Sequence, residues 1–149
     1  TCALPISMSA LIRSIIEEEF STFLSANIPG VTVNKGITPD LRQMPMIIVY
    51  ASSAAPEKDL GANPMGNYSV KVEIFVYSSA DDDTLETHRE RVSKVHGFMS
   101  DGEALKALWG TNEGKLYACW IESDDEGMKG RNYGNLITYT AVAVLPPRV

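Results

Sequence analysis

Cysteine is almost missing from this chain. Cys2 and Cys119 are its two thiols, too few for a disulfide framework or a cysteine-built metal site. Histidine is as rare, with His88 and His96 alone. No apolar run approaches the roughly 20 residues of a bilayer-spanning helix, so no helical membrane span is expected. Positive charge is in deficit: 13 Lys and Arg stand against 19 Asp and Glu, giving a net charge of -6 and a pI near 4.9. Sequence-independent nucleic-acid binding needs a basic footprint that displaces counterions, and direct nucleic-acid binding is not expected. The best local candidate, Lys129 with Arg131, follows Asp124, Asp125 and Glu126, which largely cancel it. Catalytic signatures are missing too: the chain holds no GxSxG, HExxH or GxGxxG.

What is present describes a folded domain. Apolar residues make up 44% and charged residues 21% of 149 positions, an ordinary globular balance. A chain of this length forms one domain and buries roughly two-thirds of its unfolded surface. The opening TCALPIS has neither a charged n-region nor a long apolar core, so it does not read as a signal peptide. It reads as an adapter translated in frame (residues 1–7 non-native), which makes Met8 the natural start and 8–149 the domain. Cys119 is then the remaining thiol, which suits a reducing compartment such as a bacterial cytoplasm.

Periodicity supplies the elements. Leu11, Ile12, Ile15, Ile16, Phe20, Phe23 and Leu24 recur at helical spacing over 9–26, with Glu17, Glu18 and Glu19 mostly opposite. Asn27, Pro29 and Gly30 end that helix. VTVNKG predicts a short strand, and Pro39 and Pro45 bracket a turn. MIIVY predicts a strand covered on both faces or central in a sheet. In YSVKVEIFVY, Tyr68, Val70, Val72, Ile74 and Val76 alternate with Ser69, Lys71, Glu73, Phe75 and Tyr77, the period of a half-buried strand. Between these two strands, 55–67 shows no period and reads as a long loop. Asp81, Asp82 and Asp83 precede a helix over about 84–99 and are expected to cap it. EALKALWG adds a short helical stretch. KLYACWIES and LITYTAVAV read as closing strands joined by a charged, Gly-rich loop over 123–135. The expected class is α+β, in the order α-β-β-β-α-α-β-β. A mostly antiparallel sheet of about four to five strands packs against two main helices.

Each candidate for chemistry has a plainer reading. His88 and His96 fall in the arc of Val92, Val95 and Met99, and stand about 12 Å apart along the helix, too far to share one metal. They are expected to pack rather than to ligate or catalyse. Asp81–Asp83 could attract a hard cation, but a helix start explains them. Asp124, Asp125 and Glu126 lack EF-hand spacing. GMKGRNYG lacks the Gly-Lys-Ser/Thr ending of a phosphate loop. Ser52 and Ser53 have no evident histidine partner. Trp109 and Trp120 are expected in the core or in a subunit contact. No cofactor or metal is expected, and no enzyme activity.

From about Met44 to Val144 the succession of Pro45, IIVY, VKVEIFVY, the helix closing in FMSD, an acidic stretch and LITYTAVAV resembles the tail terminator (tail-completion, minor tail) proteins of long-tailed bacteriophages. The resemblance implies a virion assembly protein, made in the host cytoplasm. Subunits of that family close a homo-oligomeric, hexameric ring on the tail tube and meet the head–tail connector. Their partners are thus further copies, the tube protein and the connector protein. Such a ring needs a heterologous interface that closes. The expected contact residues are Glu57, Lys58, Asp59, Leu60 and Met65 in the first loop, Phe75 and Tyr77 on the outer strand face, and Lys129, Arg131 and Tyr133 in the second. Another neck or head–tail joining protein, an adaptor outside the virion, and a metal-assisted hydrolase built on Asp81–Asp83 and a histidine are the alternatives.

Overall fold

The computed structural model describes residues 8–36, 44–56, 67–108 and 115–144. The elements follow the expected order: α1 (Met8–Asn27), β1 (Thr32–Lys35), β2 (Met46–Pro56), β3 (Asn67–Ser79), α2 (Leu85–Met99), α3 (Gly102–Leu108), β4 (Lys115–Lys129) and β5 (Asn132–Val144). The strands form one five-stranded sheet in the order β1-β2-β3-β5-β4. Only β1 and β2 run parallel; the other neighbours are antiparallel.

Alternation along β3 and β5 decides which face meets the helices. Val70, Val72, Ile74 and Val76 on β3 and Ile137, Tyr139, Ala141 and Ala143 on β5 are buried beside Ile12, Ile16, Phe20 and Leu24 of α1. Phe20 meets Tyr139 edge-on at 5.6 Å, and Phe23 meets Phe98 of α2 at 6.1 Å, geometry that favours both ring quadrupoles. Burial pushes the Tyr139 hydroxyl far up in pKa, with Cys119 adding to the shift. The hydroxyl donates to the Met99 carbonyl at 2.8 Å. Continuous apolarity in MIIVY has the anticipated cause: Ile47 and Val49 enter the main core, while Met46 and Ile48 fill a small cluster with Tyr77.

Strand β2 continues to Pro56 and β3 starts at Asn67, with Pro56 paired to Tyr68. Ala55, Pro56 and Asn67 are therefore strand rather than loop, and Glu57, Lys58, Asp59, Leu60 and Met65 lie outside the described residues. A register shift between Ala51 and Ser53 interrupts β2. There the Ala51 amide donates to Glu17 Oε2 at 2.9 Å, so one of the α1 glutamates satisfies a backbone donor of the sheet.

Two expectations fail in instructive ways. Asp81–Asp83 do not cap α2. Thr84 is the N-cap and accepts from the Thr87 amide, while Asp83 lies 3.4 Å from Arg91 and Asp81 lies 3.7 Å from Arg131. A hydroxyl one residue before the helix reaches the free N–H groups that carboxylates further out do not. The second concerns 123–135, which is a β-hairpin and not a loop. Lys129 pairs with Asn132, and Gly130, at φ 63, turns the chain. A two-residue connection needs positive φ at its first central position, where glycine bears no strain. The polar run misleads because Asp124 and Glu126 on β4 find partners on α2, as described next.

Candidate interaction surface

Strand β4 closes one side of the sheet, and its outer edge pairs with no strand among the described residues. Three large apolar side chains remain exposed in the described structure: Tyr117 at 57%, Trp120 at 45% and Met128 at 60%. All three belong to β4. The opposite edge, β1, is four residues long and carries none. Trp120 is fixed in place, because its indole N–H donates to Glu122 Oε1 at 2.5 Å and the Thr140 hydroxyl donates to the same oxygen at 3.0 Å. A large side chain already held in one orientation loses less entropy on contact, and exposed tryptophan is a frequent anchor of interfaces. Register shifts between Leu116 and Ala118 and between Ile121 and Ser123 place bulges at Tyr117 and Glu122.

The sheet face away from the helices contributes a second patch. Phe75 and Tyr77 stack with centroids 6.0 Å apart and planes 8° apart, beside Met44, Met46 and Ile48. Tyr77 lies against Gly134, where an added Cβ would stand 3.0 Å from its Cε1. Gly134 pairs with Gly127, leaving a shallow groove of ≈ 260 Å³ lined by Phe75, Tyr77, Asp125, Lys129 and Leu136. Burial raises the Tyr77 pKa. The strand alternation thus brings Phe75, Tyr77 and Lys129 together on one face. Arg131 sits in the hairpin turn beside Asp81. Tyr133 faces the helices instead, 5.7 Å from the His88 ring.

Beneath α2 lies a polar seam that sequence reading missed. His88 and Ser78 are wholly buried and Asn135 nearly so. His88 Nδ1 is 2.8 Å from Ser78 Oγ, and Nε2 is 2.7 Å from Asn135 Oδ1. Asn135 Nδ2 donates to Asp124 Oδ1 at 2.7 Å, and His96 Nε2 lies 2.8 Å from Asp124 Oδ2. Arg89 forks onto both Glu126 oxygens at 2.8 Å, a bidentate pair that lowers the Glu126 pKa and raises that of Arg89. The expected place of His88 on the buried stripe is correct. His96, on the same helix, is only half-buried and turns toward the carboxylate.

A serine hydroxyl, an imidazole and an amide in series have the composition of a nucleophile relay. This one offers no access, since Ser78 and His88 have 0% of their surface exposed. Among the described residues no cluster of His, Cys, Asp and Glu has the spacing to hold a metal. Asp81 and Asp83 are engaged with Arg131 and Arg91, and Asp83 reaches the seam only through Arg91, which donates to Ser78. No described helix is long and apolar enough to cross a membrane.

No protein-family model matches the chain, and no curated protein does. Among solved structures, it is similar to a chain in the structure described as "Virion of native gene transfer agent (GTA) particle", with a TM-score of 0.57 and 12% identity. The match covers 95% of this chain and 99% of that one. At that identity the likeness defines a shared α+β fold, spanning both chains almost end to end.

Proposed function

We propose that this chain is a virion structural protein that acts as a tail terminator, closing a homo-oligomeric ring on the end of the tail tube. The observation that carries the reading is the gathering of every large exposed apolar side chain of the described structure on the edge strand β4, whose outer side pairs with no described strand. A ring requires one subunit to present an edge that differs from the surface receiving it. The long edge at β4 and the short edge at β1 differ in this way. The full-length likeness to a chain of a gene transfer agent virion supports placement in a virion. The pattern resemblance to tail-completion proteins supports the terminator role, with six subunits, a tube-protein face and a connector face. Phe75, Tyr77, Lys129 and Arg131, together with Glu57, Lys58, Asp59, Leu60 and Met65, are the proposed contact residues beside Trp120. Assembly takes place in the host cytoplasm.

Purified protein mixed with tail tubes and imaged by electron microscopy tests this reading. The expected result is a ring at one end of each tube, absent for Trp120→Ala. Strictly monomeric protein that leaves tubes uncapped would refute it.

A further inference from the structure

The polar seam beneath α2 has a direction. Asn135 turns its NH₂ to the Asp124 carboxylate at 2.7 Å; the flipped amide would set oxygen against oxygen. Its Oδ1 therefore faces His88 Nε2 at 2.7 Å and requires a proton on that nitrogen. The lone pair of Nδ1 is then left to accept from the Ser78 hydroxyl at 2.8 Å. Ser78 Oγ in turn receives an N–H of Arg91 at 2.5 Å, and Arg91 is steadied by Asp83. At the far end Asp124 Oδ2 accepts from His96. Every donor in this series meets one acceptor, from guanidinium through hydroxyl, imidazole and amide to carboxylate.

We infer that this series is a one-way clamp that ties the free edge strand β4 to α2, holds His88 as its Nε2–H tautomer, and has Asp124 as its lock. Ser78, His88 and Asn135 are buried, so water does not replace a lost partner, and reversing one link sets donor against donor. Asp124 spends both oxygens, one on β5 and one on α2. A single carboxylate on β4 thus governs two contacts to neighbouring elements. Arg89 and Glu126 add an exposed tie two residues further on. Past the bulge at Glu122, the stretch Ser123–Lys129 has the ladder to β5 on one side only. Its position across the sheet is set by α2. The clamp is a property of the single chain and does not depend on the assembly reading.

Nitrogen NMR of the imidazoles in the unaltered full chain tests the direction: His88 is expected protonated at Nε2 and bare at Nδ1, and the opposite tautomer overturns the inference. Hydrogen exchange tests the clamp. In Asp124→Asn, amides of Ser123–Lys129 and of α2 are expected to exchange about ten- to a hundredfold faster, while those of β2 stay as they were. Ser78→Ala should do the same, and Ser78→Thr, which keeps the hydroxyl, should restore protection. Equal acceleration throughout the sheet, or none in the hairpin, overturns it. If Asp124→Asn does not fold, the tautomer in the unaltered protein and the Ser78 pair decide.

Discussion

Helix α1 meets the sheet through Ile12, Ile16, Phe20 and Leu24, all wholly buried, whereas α2 meets it through Val92, Val95, Met99 and a buried imidazole. The first contact is apolar area, which is indifferent to small rotations. The second combines fewer apolar groups with hydrogen bonds that tolerate little misalignment. One sheet face is therefore held in two ways. Under α1 it is secured mainly by burial, with the Glu17–Ala51 hydrogen bond beside it; under α2 its exact placement depends on a few polar atoms. The less forgiving half adjoins β4, the edge with the exposed apolar side chains.

Truncation at the α1 half should cost most. Phe20→Ala removes a ring at the centre of the core and is expected to lower unfolding free energy by about 3–5 kcal/mol in denaturant titration. A loss below about 1 kcal/mol would mean that α1 is not the main anchor. In the α2 half, His88→Gln keeps polarity but misplaces both partners, and about 1–3 kcal/mol should go. His96→Gln, at the half-open end of the same seam, should cost less than about 1 kcal/mol. Equal losses for the two would erase the distinction between a buried and a solvated end. Trp120→Ala should leave the free chain within about 0.5 kcal/mol of its original stability while abolishing ring formation on tubes, which separates edge from core. The smallest effect concerns acid. The Glu126 carboxyl has a folded pKa below its unfolded value because of Arg89, so the pair's contribution is complete above the unfolded pKa and fades as pH falls through the folded one. Arg89→Gln should flatten that acid limb by lowering the plateau at neutral pH slightly, and should leave stability below the folded pKa unchanged. An unaltered limb would show that the exposed pair does nothing for the hairpin.

Much of the architecture was legible because apolar periodicity is local. The α1 stripe, the alternation of Tyr68–Tyr77, the doubly covered MIIVY and the order of all eight elements follow from side-chain spacing. The far half of the β4–β5 hairpin was not legible. Asp124 and Glu126 look like loop residues until His96 and Arg89 arrive from a helix some thirty positions away; only the tertiary fold makes a strand of them. The Ser78–His88–Asn135 series was hidden for the same reason, since β3, α2 and β5 each supply one member. A faint signal existed: Ser78 and Asn135 continue the inward alternation of β3 and β5, so polar residues at those positions demanded a polar partner. Thr84 also outranked the aspartates as a cap by position, which composition alone did not reveal.

The bulges at Tyr117 and Glu122 bear on the life of the chain before it meets any partner. Unpaired strand edges recruit other strands, and a long flat one seeds open-ended stacking. Each bulge breaks the repeat that an incoming flat strand must match, so β4 offers only the short run Ser123–Lys129 as a regular template. That run carries Asp124, Asp125 and Glu126, and a second copy laid antiparallel beside it would bring like charges together. Regular, open-ended stacking of β4 on β4 is thereby disfavoured. In the proposed ring, a neighbour shaped to the kinks and to the Trp120 indole would still fit, and the irregularity would act as a filter on what joins the edge.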